Sequence, residues 1–185
     1  ILYFWQGHQV ALEFVTGYVL ELSLSVDNLF VFLVIFNYFA VPDEQQHRVL
    51  FWGVVGALVM RGLFIGAGVG LITRFHWVLY IFGGLLVYSG IQLCLSGGHR
   101  VDPATNPLVK LLRRFIPVTS EYRNGKFFVR EAQEKSRLYA TPLLVVLLVI
   151  ETSDIFFAVD SIPAILAVTL NAFIVYTSNV FAILG

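Results

Sequence analysis

The chain has 185 residues and balances twelve Lys and Arg against twelve Asp and Glu, so its formal net charge is zero. Apolar residues make up 58%, mean hydropathy is +0.81 and charged residues are only 13%, where a soluble domain carries about 25% charge. Composition therefore excludes the ordinary soluble class and gives no electrostatic case for nucleic acid; with Cys94 as the lone cysteine, it also excludes an internal disulfide or a CxxC pair.

The apolar runs are too long for barrel strands and predict an all-α fold, a polytopic transmembrane helical bundle. Residues 1–5 read as an apolar stub ending in aromatics, as at a membrane interface, and residues 6–9 as a short polar break. The first full span is expected over residues 10–40. It exceeds the roughly 20 residues of a straight span, so tilt, a kink or a local break is expected. Pro42 follows, and residues 42–48 read as a polar loop. The second span, 49–73, carries Arg61 and six glycines. Gly66 and Gly70 form a GxxxG and Gly53 and Gly56 a second small pair, both suited to close helix packing. Arg74-Phe75-His76 links to a third span over 77–95.

Residues 96–137 are the long hydrophilic segment, with nine Lys and Arg against four Asp and Glu. Within it, 106–115 reads as a short basic amphipathic helix capped at Asn106. Residues 118–129 read as a β-hairpin on the Asn124-Gly125 turn. Thr141-Pro142 starts a fourth span reaching about residue 168, with a kink expected at Pro163. Residues 169–172 form a turn, and 173–185 begin a fifth span with the polar triplet Thr177-Ser178-Asn179. The positive-inside rule places the 96–137 loop in the cytoplasm, so the first span runs from outside to inside. The chain divides into a first membrane repeat at 1–95, the basic loop at 96–137 and the start of a second repeat at 138–185. It begins Ile-Leu-Tyr-Phe-Trp and ends inside an apolar run, and reads as an internal piece of a longer membrane protein.

Two stretches break the apolar pattern in the same way. Glu21-Leu-Ser-Leu-Ser-Val-Asp27-Asn28 lies in the first span and Asp154-Ile-Phe-Phe-Ala-Val-Asp160-Ser161 in the fourth. Each has an acid, a five-residue gap, an aspartate and a small polar residue. A carboxylate at mid-bilayer depth costs at least ~2.5 kcal/mol, so a device buried twice points to use on a cation. Three spans separate the two starts, an odd number, so the copies cross in opposite directions. Such an inverted-topology repeat places a substrate site near the midplane.

On a straight helix, residues six apart fall about 120° short of two full turns. Glu21 and Asp27 then do not share a face, and neither do Asp154 and Asp160. Either a break near residues 23–25 lets the paired acids converge, or the two acids do different jobs. Glu151 and Asp154, three apart, do share a face. Together with Asn28, Ser161 and Asn179 these carboxylates make an all-oxygen set, which suits hard divalent ions such as Mn²⁺, Mg²⁺ or Ca²⁺. The four scattered histidines sit near expected span edges and lend no soft metal site.

Glu21–Asn28 with the following Leu29, Phe51 to Arg61, Glu151 to Thr169 and Tyr176 to Gly185 resemble the signatures of the TerC (tellurium-resistance) family of integral membrane proteins, in its Alx-type branch. The resemblance runs over nearly the whole chain. It implies a helical transporter related to the LysE-type exporters, with manganese efflux as its role, in the inner membrane of a bacterium. Older names in the family point to tellurite resistance or redox modulation. The family's acidic positions fall on Glu21, Asp27, Asp154 and Asp160, with Asn28 and Ser161 beside them.

The functional reading is thus a divalent-metal exporter whose metal ligands are Glu21, Asp27, Asn28, Asp154, Asp160 and Ser161, with Glu151 and Asn179 as further candidates. No permanently bound cofactor is expected. The partners are the lipid bilayer, the metal as cargo and protons as a coupling ion that competes for carboxylates. The structural alternative for the acids is a set of buried hydrogen bonds or an ion pair with Arg61, which otherwise snorkels to the surface. Glu151 serves either as a ligand or as a helix-polarity device, and Ser178 and Asn179 either line a cavity or join helices. The alternative function is a membrane scaffold or stress-response component acting through its basic loop. A membrane redox enzyme is disfavoured, because the chain has no thiol pair, haem-type His pair or nucleotide motif.

Overall fold

The computed structural model describes residues 7–96, 111, 114, 116–119, 121–123, 125–130 and 138–184, and only the backbone at Asp27, Leu93, Cys94 and Ser96. The helices it describes from end to end are α1 His8–Tyr38, α2 Asp43–Arg74, α3 Val78–Ser96, α4 Pro142–Leu166 and α5 Ala172–Leu184. Two short strands, β1 Phe128–Arg130 and β2 Leu138–Ala140, pair antiparallel before α4. The expected stub at 1–5 lies outside the described residues. So does the basic helix at 106–115, apart from Leu111 and Arg114, which are both helical.

Three helices, α1, α2 and α4, are long and apolar enough to cross a membrane, and α3 and α5 contain shorter apolar stretches. Burial is inverted relative to a soluble protein. Phe30, Leu63 and Phe156 are 61–64% exposed, while Glu21 and Arg61 are each 1% exposed. Apolar side chains face outward at no cost in lipid, and the charges are withdrawn to where they find partners.

The helix ends follow local chemistry. α1 stops in a Schellman turn. Val41 N–H donates to Phe36 O and Ala40 N–H to Asn37 O, with Ala40 at φ +47°. The residues expected as a polar loop at 42–48 are instead the head of α2, which starts at Asp43. Asp43 and Glu44 in its first turn complement the helix dipole, and Pro42 O accepts from Gln45 and Gln46 N–H. Polarity there marks a helix head reaching past the apolar zone, not a break in the helix. α5 is capped by Asn171, whose Oδ1 accepts from Phe173 and Ile174 N–H at 3.1 and 3.4 Å.

The chain forms two compact units. One unit comprises Ile1–Asn28, Leu58–Arg100 and Ile155–Gly185. Its core gathers Ile65 and Ile72 of α2, Ile162 and Leu166 of α4 and Val175 of α5. The other comprises Leu29–Ala57 and Val101–Asp154. Its core sets Ile35 and Phe36 of α1 and Val49 of α2 against Leu143, Val146 and Ile150 of α4.

In the second unit, the strand pairing differs from the expected hairpin. Gly125 does turn the chain, at φ +70°, with Lys126 N–H donating to Arg123 O. Among the described residues, its flanks do not pair with each other. Both pair with β2: Phe128 opposes Ala140 on one edge, and Val118 bridges Ala140 in parallel on the other. Alternate residues of β2 bond to opposite sides, so a third segment outcompetes the local turn. This sheet is tied to the α1–α2 turn by Tyr122 Oη donating to Phe39 O at 2.7 Å and by Arg48 Nη1 donating to Gly125 O at 2.7 Å.

The glycines also sort differently from the GxxxG pattern. A methyl group at Gly66 or Gly70 would meet nothing within 4 Å. The close approaches fall at Gly53 against Ile150, Gly56 against Glu151, Gly62 against Tyr176 and Gly68 against Leu166.

Candidate functional site

α1 runs unbroken from His8 to Tyr38, through Ser23 and Ser25, so no local break brings Glu21 and Asp27 together. Its buried stripe is Gly17, Glu21, Asn28 and Ile35. Positions seven apart on a helix lie within about 20° of each other, so Glu21 and Asn28 share this face. α4 repeats the arrangement. Asp154, Ala158, Ser161 and Ile165 are buried along one face, and Asp154 and Ser161 are again seven apart. In both copies of the motif, the buried positions are the leading acid and the small polar residue at the end. The second acid lies about 100° further round. Asp160 is accordingly only half-buried, and the Asp27 side chain lies outside the described atoms.

In the first unit, Glu21 of α1 forms an ion pair with the guanidinium of Arg61 on α2. Arg61 Nη1 also donates to Asn179 Oδ1 on α5 at 3.3 Å. Arg61 therefore neutralises an acid, and its 1% exposure rules out snorkelling. A buried charge is tolerated when it is paired and its remaining donors are used, and a guanidinium has five to place. The helices approach closely here: a methyl at Gly17 would come within 2.9 Å of Ser178 Oγ and of Ile165 Cδ1. Ser178 spends its own hydroxyl hydrogen on Val175 O at 3.1 Å.

Asp160 has a partner that sequence reasoning missed. Ser89 of α3 donates to Asp160 Oδ1 at 2.6 Å. The available signal was small: one serine between Tyr88 and Gly90 in a largely apolar α3.

In the second unit, the Glu151 carboxylate lies against the α2 backbone at Gly56, filling the notch where a side chain would stand. Asp154, one turn on, is 4% exposed. Between them, Thr152 and Ser153 hydroxyls donate back to Leu148 O and Val149 O at 2.6 and 2.8 Å. Those hydroxyl hydrogens are used within the helix.

Apart from Glu21 Oε1, which is ion-paired with Arg61, three buried polar atoms of the first unit have no hydrogen-bond partner: Asn28 Oδ1, Ser161 Oγ and Asn179 Nδ2. Such an atom costs about 1–3 kcal/mol unless something satisfies it. Two of them, Asn28 Oδ1 and Ser161 Oγ, are the closing residues of the two motif copies. Among the described residues, no three His, Cys, Asp or Glu side chains come together. A cation held by the described groups would therefore take neutral oxygens as well as carboxylates, which hard divalent ions accept.

Comparison with known proteins follows the same line. A sequence model described as "Integral membrane protein TerC family" matches residues 6–185. The chain is 51% identical over 179 residues to "Uncharacterized membrane protein STKORF319" of Myxococcus xanthus, covering 97% of this chain and 55% of that protein. It is 51% identical over 175 residues to "Putative membrane-bound redox modulator Alx" of Escherichia coli (strain K12), covering 95% and 54%. An "Uncharacterized membrane protein" of Rickettsia bellii is 40% identical over 184 residues, covering 100% and 60%. The chain thus spans a little over half the length of these relatives. No solved structure matches it.

Proposed function

The chain belongs to the TerC family of integral membrane proteins, and on that premise we propose that it exports a divalent metal cation, manganese before others. One observation carries this reading: the closing residues of the two acidic motifs, Asn28 and Ser161, are 7% and 2% exposed and each presents an oxygen with no partner. An apolar helix gains nothing from a buried orphan oxygen. A desolvated cation gains a ligand. The carboxylates of Glu21, Asp27 and Asp160, in the same unit as Asn28 and Ser161, supply charge; Asp154 and Glu151 stand as candidates on motif spacing alone. Asn179 drops back in this set, because its one ligand-capable atom, Oδ1, already accepts from Arg61.

Two inverted repeats rocking about the motifs would present the ion to either side, with protons competing for the same carboxylates. The setting is the inner membrane of a bacterium, with the 96–137 loop in the cytoplasm. The name of the Escherichia coli relative speaks of redox modulation. This chain offers one cysteine and no thiol pair for such chemistry.

The test is cellular manganese in a strain expressing the full-length protein. Wild type lowers it, and Asn28→Ala, Ser161→Ala and Asp160→Ala each blunt the effect. A well-expressed wild type that leaves manganese and other divalent metals unchanged would sink the exporter reading in favour of a scaffold role.

A further inference from the structure

We propose that Arg61 is a tethered counter-cation: its guanidinium occupies Glu21, and a divalent cargo ion gains that carboxylate only by displacing it. The inference rests on the exporter reading and adds how its first motif is kept closed.

Among the described residues, Arg61 is the only Lys or Arg in the middle of an apolar helix. It stands opposite the leading acid of the first motif, with both side chains 1% exposed. A guanidinium stays charged at any physiological pH, so the pair cannot be dissolved by deprotonating Arg61. Only another cation, or a movement of the arginine, frees Glu21. The second grip on Arg61 makes such a movement feasible. Asn179 Oδ1 holds the guanidinium from α5, so an arginine released by Glu21 keeps an acceptor and is not stranded in lipid. Asn179 Nδ2, 1% exposed and without a partner, leaves the amide free to adjust. A purely structural pair would have no use for the unpartnered oxygen of Asn28 seven residues along the same face of α1.

The test uses the purified full-length protein in nanodiscs, with Mn²⁺ as the probe and its free concentration read by electron paramagnetic resonance. Arg61→Gln should bind Mn²⁺ on the order of tenfold more tightly than wild type while exporting more slowly from proteoliposomes, because release loses its competitor. A folded Arg61→Gln with unchanged or weaker Mn²⁺ binding overturns the proposal. So does weaker binding restored by Arg61→Lys, which would mark a structural charge. Wild type labelled with ¹³C-guanidino arginine gives a second reading that does not depend on the variant folding. Mn²⁺ should shift an arginine band in the infrared difference spectrum; binding without that shift overturns the proposal. If folded wild type binds no Mn²⁺ or other divalent ion, the exporter reading itself falls and takes the lock with it.

Discussion

Ser89 donates its hydroxyl to Oδ1 of Asp160 across 2.6 Å, tying α3 to the second acid of the repeated motif. A short bond to a carboxylate is charge-assisted and sets the direction of the remaining lone pairs. On the proposed exporter reading, Ser89→Ala should therefore weaken Mn²⁺ export several-fold, and it should lower stability by roughly 1.5–3 kcal/mol, with Ser89→Thr retaining most of both. Proteoliposome transport and thermal unfolding in detergent measure the two effects. Full export by Ser89→Ala would show that Asp160 is positioned without it.

Glycine substitutions should split into two classes. Gly56→Ala puts a methyl into the Glu151 carboxylate and should cost about 1–3 kcal/mol. Glu151→Ala in the same chain should recover much of that cost, because it removes the group that the methyl strikes. Gly66→Ala and Gly70→Ala enter open space and should gain up to about 1 kcal/mol from helix propensity. A double-mutant cycle on thermal unfolding checks the first pair. A clear loss at Gly66 would mean that another surface packs there.

Ala40 sits at φ +47° in the turn that ends α1. A left-handed alanine is strained by about 1–2 kcal/mol, less what glycine loses in unfolded-chain entropy. Ala40→Gly should raise stability by about 0.5–1 kcal/mol with the fold unchanged. A drop in unfolding temperature would contradict the Schellman assignment.

Tyr122, outside the spans, should give an alkaline signature. Burial pushes its phenol above the ordinary value of 10.0, favouring the neutral form in the folded state. Its contribution to stability is fully present below about pH 10 and is lost as pH rises from there through the folded value. Tyr122→Phe should cost about 1 kcal/mol at neutral pH, through the lost bond to Phe39 O, and flatten that alkaline decline. Unfolding midpoints between about pH 8 and 11 decide it.

Much of the helical architecture was legible in the residues. Long apolar runs cannot satisfy their backbone in lipid except as helices. The Arg74-Phe75-His76 link, Pro142 at a helix start and the turn before α5 were likewise local matters of backbone chemistry. The duplicated acidic motif was visible as spacing alone. The strand partners were not: a turn at Gly125 is local, whereas the edge that Phe128 and Val118 both choose lies at Ala140. Nor did the GxxxG pattern say which glycines meet a neighbour, since small residues permit contact without compelling it.

By itself the sequence determined a membrane-embedded helical chain with carboxylates buried twice in the same pattern. Length, hydropathy and the cost of a charge in lipid leave no other class. Only the tertiary structure decided what Glu21 and Asp160 pair with. An unbroken α1 keeps Glu21 and Asp27 on different faces. Arg61, forty residues from Glu21 in the chain, takes that carboxylate. Ser89, seventy-one residues from Asp160, takes the other. Pairings over such distances depend on which helix faces pack together, and spacing within one helix carries no information about that.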